Sequence, residues 1–215
     1  VLGTNQAYSG MGRVYAIRAR GKNAPGGAHV KGWPISPPAL AILPVVATGM
    51  GNAPCMADID GDGRVEVGIG GVGFPISLYK GDGSFVRAMA NTGAGPESNI
   101  DDLPAMPLVA APAIGDLNND GNLDMALTAA GLKALAALAS GGERVVYDQQ
   151  MGVWDTTTGK FLDAWPQRID DWTFWINPIV ADLDDDGLPE VISGSSGYYL
   201  HAWNIDAKEP EGWPK

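Results

Sequence analysis

The chain has little of several things that commonly carry function. Cys55 is its single cysteine, which excludes a disulfide framework and a cysteine-based zinc site. The expected state of that thiol is a small buried group inside the strand "PCMADI". Only His29 and His201 could do acid-base work near neutral pH, and they fall in unrelated contexts. A core or rim position is expected for His201, inside "YYLHAWN". Basic residues are scarce, 14 Lys and Arg against 25 Asp and Glu, for a net charge of −11. So thin a spread of bases excludes a nucleic-acid partner, while oxygen-rich acidic sites suit hard cations. No apolar run approaches the roughly 18 residues of a membrane span, and no signal-peptide pattern is visible. The chain opens on Val1 without Met, which reads as a processed or excised piece. Gly-x-Ser-x-Gly elbows, phosphate-binding loops and His-Glu-x-x-His pairs are all missing, so nothing marks a nucleophile and no enzymatic activity is expected.

Glycine and turn chemistry, by contrast, are abundant. Thirty Gly and sixteen Pro in 215 residues favour many short strands with tight turns, hence an all-β fold. With 45% hydrophobic and 18% charged residues the composition is that of a globular protein. One stretch recurs three times: "DIDGDGRVEVGIG" from Asp58, "DLNNDGNLDMALT" from Asp116 and "DLDDDGLPEVISG" from Asp182. Each follows a proline-containing extended lead, "APCMA", "APAIG" or "NPIVA". Counting the first Asp as position 1, position 3 is Asp60, Asn118 or Asp184, and position 5 is Asp62, Asp120 or Asp186. Position 6 is always Gly, and position 9 is Glu66, Asp124 or Glu190. The starts lie 58 and 66 residues apart, a period that fits a four-stranded unit.

Alternate side chains at positions 1, 3 and 5 converge on one point when a short loop wraps tightly, and Gly at 6 permits the reversal. Position 7, occupied by Arg64, Asn122 and Leu188, can turn its carbonyl inward, a role that needs no particular side chain. An acid at 9 closes the shell as the next strand begins. The start resembles an EF-hand loop, but the acid comes at 9 rather than 12 and strand formers follow. Without a cation, carboxylates this close repel one another. Merely solvated acidic turns are the competing reading, and three copies in one register speak against it. Asn118 gives the second loop one charge less, so weaker binding is expected there.

The motifs "DIDGDGRVE", "DLNNDGNLD" and "DLDDDGLPE", with their leads, resemble the FG-GAP or integrin-alpha type repeat, also called the VCBS repeat. That resemblance covers essentially the whole chain, although "APAIG" and "NPIVA" are only loose equivalents of the family's Phe-Gly/Gly-Ala-Pro signature. It implies β-propeller blades whose first loop holds Ca²⁺ at the periphery, three sites in all. Carried over, Asp58, Asp60, Asp62 and Glu66 would hold one ion, and Asp116, Asn118, Asp120 and Asp124 a second. Asp182, Asp184, Asp186 and Glu190 would hold the third, with the carbonyls of Arg64, Asn122 and Leu188 completing the shells.

Aromatic segments run into Trp-Pro stops in "KGWPI", "DAWPQ" and "EGWPK", with hairpin turns expected at Gly81 to Gly83 and at Gly159; after the first loop, "SLYKGDGSFV" leads only to "PAMPL". The units read as 1–40, lacking its loop, 54–107, 112–166 and 178–215, about three and three-quarter four-stranded blades. Val1 aligns with Val191, just past a position-9 acid. A partial propeller is therefore expected, its open edges covered by further blades or by another chain. "GLKALAALASGG", from Gly131 to Gly142, reads as an inserted helix with Leu132, Leu135 and Leu138 packed inward. Asp101–Asp102 and Asp170–Asp171 read as solvated pairs. Trp172 and Trp175, beside the second pair, are expected in inter-blade packing, or else as indoles for a glycan or protein ligand. The family implies a secreted or cell-surface module with a recognition, adhesion or structural role. The alternatives are the propeller of a polysaccharide-lyase-like enzyme and a subunit of an extracellular assembly.

Overall fold

The computed structural model describes residues 1–5, 12–39, 41–43, 47–50, 53–90, 105–106, 110–131, 149–173 and 175–215. Within them the chain is all-β: every strand pair is antiparallel, and helical geometry is confined to a 3-10 turn at Gly21–Asn23. No helix among the described residues is long and apolar enough to cross a membrane. The inserted helix expected after Gly131 and the Asp101–Asp102 pair lie outside the described residues.

With one exception, the described strands pair with their sequence neighbours. β1 (Leu2–Asn5) and β2 (Gly12–Tyr15) form the first unit, extended by a bridge from Val14 to Ile35. β3 (Ala41–Leu43) and β4 (Ala47–Thr48) make a small hairpin. The second unit is a meander of β5 (Cys55–Ala57), β6 (Glu66–Ile69), β7 (Ser77–Tyr79) and β8 (Phe85–Ala88). β9 (Ala105–Met106), from the "PAMPL" stretch, joins the third unit's sheet, where it pairs with Ala130 and Gly131 of β11. The other strands of that unit run in sequence order: β10 (Ala113–Gly115), β11 (Asp124–Gly131), β12 (Gln150–Asp155) and β13 (Gln167–Arg168). The fourth unit holds β14 (Ile179–Ala181), β15 (Glu190–Gly194) and β16 (Leu200–Trp203), and Leu200 and Lys215 then exchange two backbone hydrogen bonds of 2.9 Å.

The hairpin turns fall where glycine allows them, with φ of 83° at Gly83 and 74° at Gly159. Beyond each turn the chain returns to its own unit: Ile35 pairs with Val14, Met89 N–H donates to Ile76, Gln167 pairs with Met151, and Lys215 pairs with Leu200. These returns set the phase of the units and correct one alignment. Leu2 faces Tyr15 as Ser193 faces His201, so Val1 matches Ile192 and not Val191. The first unit's longer β1–β2 connection hides that slip of one residue, which decides the face each side chain takes.

Three hydrophobic clusters sit between successive units. Val14, Ala16 and Trp33 meet Val67, Ile69 and Tyr79 at the first junction. At the second, Ile59, Ile76 and Leu78 meet Met125, Leu127 and Trp154. Leu117, Met151, Val153 and Trp165 meet Val191 and Trp203 at the third. Strand alternation explains this division, since Leu78 faces forward while its neighbour Tyr79 faces back. Indoles fasten the junctions. Trp33 Nε1 donates to the carbonyl of Gly81 in the next unit's turn (2.9 Å), and Trp165 Nε1 donates to Ile205 in the corresponding turn (3.1 Å). The peptide bonds Trp33–Pro34, Trp165–Pro166 and Trp213–Pro214 are all cis.

Candidate metal centre

Each acidic loop joins the first two strands of its unit: β5 to β6, β10 to β11, and β14 to β15. The position-9 acid opens the second of those strands and pairs with the last residue of the first, Ala57 with Glu66, Gly115 with Asp124 and Ala181 with Glu190. All three acids are buried. Each accepts the N–H of position 2: Ile59 to Glu66 Oε2 at 3.0 Å, Leu117 to Asp124 Oδ2 at 3.0 Å and Leu183 to Glu190 Oε2 at 2.8 Å. One carboxylate oxygen thus closes the loop as a backbone partner would.

The remaining bonds also recur. The position-6 N–H donates to the position-1 carboxylate: Gly63 to Asp58 at 2.8 Å, Gly121 to Asp116 at 2.9 Å and Gly187 to Asp182 at 3.0 Å. Arg64, Asn122 and Leu188 donate their N–H to Asp62, Asp120 and Asp186 at 2.7 to 2.8 Å. Position 5 donates to position 3, from Asp62 to Asp60, Asp120 to Asn118 and Asp186 to Asp184. Positive φ occurs at position 6 and, unforeseen from the sequence, at position 4, where Gly61, Asn119 and Asp185 have φ of 71°, 55° and 60°. Gly, Asn and Asp are the residues that tolerate that region, so the composition of position 4 held the signal. Asp185 is exposed, as its place in the motif predicts.

Convergence differs among the loops. Carboxylate oxygens of Asp58, Asp60 and Asp62 lie within 4.8 Å of one another, as do those of Asp182, Asp184 and Glu190. In the second loop Asn118 Nδ2 donates to Asp120 Oδ2 at 3.1 Å, a bond that the position-3 carboxylates Asp60 and Asp184 have no hydrogen to make. Burial pushes Asp124 up to about 7; the Leu117 N–H pulls it back, and the charges of Asp120, Asp155 and Asp116 add to the rise. Its Oδ1 is buried with no hydrogen-bond partner. Glu190 is also raised, by burial first and then, against the Leu183 bond, by Asp184, Asp186 and Asp182. Such a donor set, all oxygen and crowded with like charge, fits a hard cation, which would relieve both the repulsion and the orphaned oxygen.

Other candidates are placed differently from expectation. Asp170 is not simply solvated: its Oδ1 lies 2.9 Å from His201 Nε2, while His201 Nδ1 lies 2.7 Å from Glu209 Oε1. The imidazole also stacks on Trp203, centroids 5.0 Å apart. With both nitrogens taken and the ring covered, His201 ties β16 to two loops. Asp171 accepts the N–H of Trp172 at 2.7 Å. Trp175 is exposed rather than packed between units, and Trp172 is half-buried. Cys55 is half-buried rather than fully buried; its Sγ donates to Gly68 O at 3.4 Å, and desolvation pushes the thiol up to about 12. No family model and no curated protein matches the chain.

Proposed function

We propose that the chain is a calcium-stabilised β-propeller segment of the FG-GAP/VCBS type, acting as a non-enzymatic recognition or structural module of a secreted or cell-surface protein. The observation that carries this reading is the same set of N–H-to-carboxylate bonds in three loops of one register, each ending in a buried acid. Solvated turns have no reason to bury their last carboxylate. Asp58, Asp60, Asp62 and Glu66 would hold one Ca²⁺, and Asp116, Asn118, Asp120 and Asp124 another. The third would sit on Asp182, Asp184, Asp186 and Glu190, with the carbonyls of Arg64, Asn122 and Leu188 contributing. Bound calcium supplies positive charge and rigidity. The chain's own residues do the rest: backbone N–H groups orient the carboxylates, and the strands hold the loops at one end of each unit.

The sequential four-stranded meander of the second unit, with cores between successive units, supports the blade reading. Exposed Trp175 and Tyr198 offer a glycan or protein ligand aromatic surface. The lyase-like alternative gains nothing from His201, whose nitrogens are engaged by Asp170 and Glu209. Isothermal titration of the metal-free chain with Ca²⁺ tests the proposal. Saturable binding near three equivalents is expected, in the roughly 10⁻⁴–10⁻³ M class of extracellular modules. No saturable binding at several millimolar would overturn it.

A further inference from the structure

Each position-9 acid has a cross-strand neighbour on the third strand of its unit, and that neighbour differs in charge from loop to loop. Asp124 faces Asp155 directly. In the second unit Val67 faces Tyr79, so one step further Glu66 faces Lys80; in the fourth Val191 faces Trp203, so Glu190 faces Asn204. All three neighbours stand at the mouth of the same turn, where their N–H groups donate to Ser84, Lys160 and Lys208. The turn is common to the three units, but the charge is not.

At the first loop Lys80 Nζ lies 3.6 Å from Asp60 Oδ2. Asp82, another acid near this amine, is held by the N–H and hydroxyl of Ser84 at 2.9 and 2.7 Å. A tethered ammonium thus already sits against one of the loop's four motif acids, and Arg64 at position 7 adds a second base. A divalent ion entering there meets charge that the amine has partly neutralised.

At the second loop the sign is opposite. Asn118 and Asp155 line one cleft, so a carboxylate stands beside the place where the motif lacks one. Lys160 lines that cleft too, but the Asp155 oxygens are held by the N–H and hydroxyl groups of Thr157 and Thr158 and not by its amine. Asp120, lowered chiefly by the N–H of Asn122, and Asp124, raised chiefly by burial, both feel the Asp155 charge. Asp124 is 1% exposed, and its Oδ1 still lacks a partner. Counting Asp155 with Asp116, Asp120 and Asp124 returns four negative charges to this loop. At the third, the neighbour is neutral, and Asn204 Oδ1 accepts the Lys208 N–H at 3.0 Å.

We propose that the residue facing the position-9 acid sets the calcium affinity of each loop: Lys80 weakens the first, Asp155 restores the second, and Asn204 leaves the third at the strength of its own acids. The first loop is then the last to fill, in place of the second, which Asn118 alone would make the weakest. This ordering rests on the calcium reading of the loops.

A calcium titration of the ¹⁵N-labelled chain by two-dimensional NMR tests it site by site, read at Gly63, Gly121 and Gly187, whose N–H groups donate to Asp58, Asp116 and Asp182. The Gly63 midpoint is expected at roughly threefold to tenfold higher free calcium than the other two. Lys80→Gln should lower it by about the same factor without moving Gly121 or Gly187, and added salt should narrow that gain. Lys80→Arg, which keeps the charge, should hold Gly63 near its wild-type midpoint. Asp155→Asn should raise the Gly121 midpoint alone. Asn204→Asp, which keeps the oxygen that accepts Lys208, should lower the Gly187 midpoint, and circular dichroism confirms that each variant is folded. Gly121 shifting last, or a Gly63 midpoint indifferent to Lys80→Gln, would overturn the ordering while calcium binding stands. Glycine amides that show no saturable shift at several millimolar would overturn calcium binding itself, and the ordering with it.

Discussion

Asp124 gives the most discriminating test of how the acidic loops work. It is the buried position-9 acid of the loop that has one charge fewer, its Oδ1 lacks a partner, and burial holds it near 7. Moving a carboxyl from 3.8 to about 7 corresponds to about 4 kcal/mol between its protonated and ionised forms. The direction follows from proton counting. Between an unfolded value near 3.9 and about 7 the native state holds the extra proton. Metal-free stability from this group is therefore fully present at low pH and lost as pH rises through 7. In calcium that loss should vanish, because the ion holds the carboxylate in its charged form. Asp124→Asn removes the charge while its amide oxygen keeps the Leu117 N–H. At pH 8 in chelator we expect the variant to be more stable than wild type by about 1–3 kcal/mol, or roughly 3–9 °C in melting temperature. At pH 5 the advantage should shrink towards zero, and in calcium the order should reverse. Thermal melts by circular dichroism at the two pH values, with and without calcium, read all of this. A variant less stable than wild type at pH 8 in chelator would show that the Asp124 charge is not destabilising there.

Two further outcomes follow from the packing. The thiol of Cys55, half-buried and pushed up to about 12, should react with a thiol reagent at pH 8 far more slowly than it does in denaturant; equal rates in the folded and unfolded chain would contradict the raised value. A Cβ at Gly68 would lie 2.5 Å from Cys55 Sγ and 2.7 Å from Met125 Cε, so Gly68→Ala should cost about 1–3 kcal/mol in a denaturant melt, and a neutral change would show that the junction yields.

Much of this was legible in the sequence because it is written in local patterns. The Asp-x-Asp/Asn-x-Asp-Gly register located the three loops, and the leads located β5, β10 and β14, since strand formers bounded by turn residues leave few alternatives. Gly83 and Gly159 marked hairpin turns for the same reason. What depended on distant chain was not legible. The Trp-Pro motifs were visible, but the carbonyls their indoles reach lie 48 and 40 residues on. Asp170 looked like a solvated acid because its partner, His201, comes from another strand. The phase of the first unit slipped by one residue because only the pairing of Val14 with Ile35 reveals it. "PAMPL" looked like the end of the second unit, yet Ala105 and Met106 pair with β11 of the third.

Whether the three acidic loops are built around calcium, as proposed, is decided by a thermal melt at neutral pH with a few millimolar calcium against excess chelator. Ligand that binds only the native state stabilises it by about 2.7 kcal/mol at a hundredfold excess over its dissociation constant. A melting temperature higher in calcium by several degrees or more is expected, with magnesium giving a smaller shift. An unchanged midpoint would contradict it.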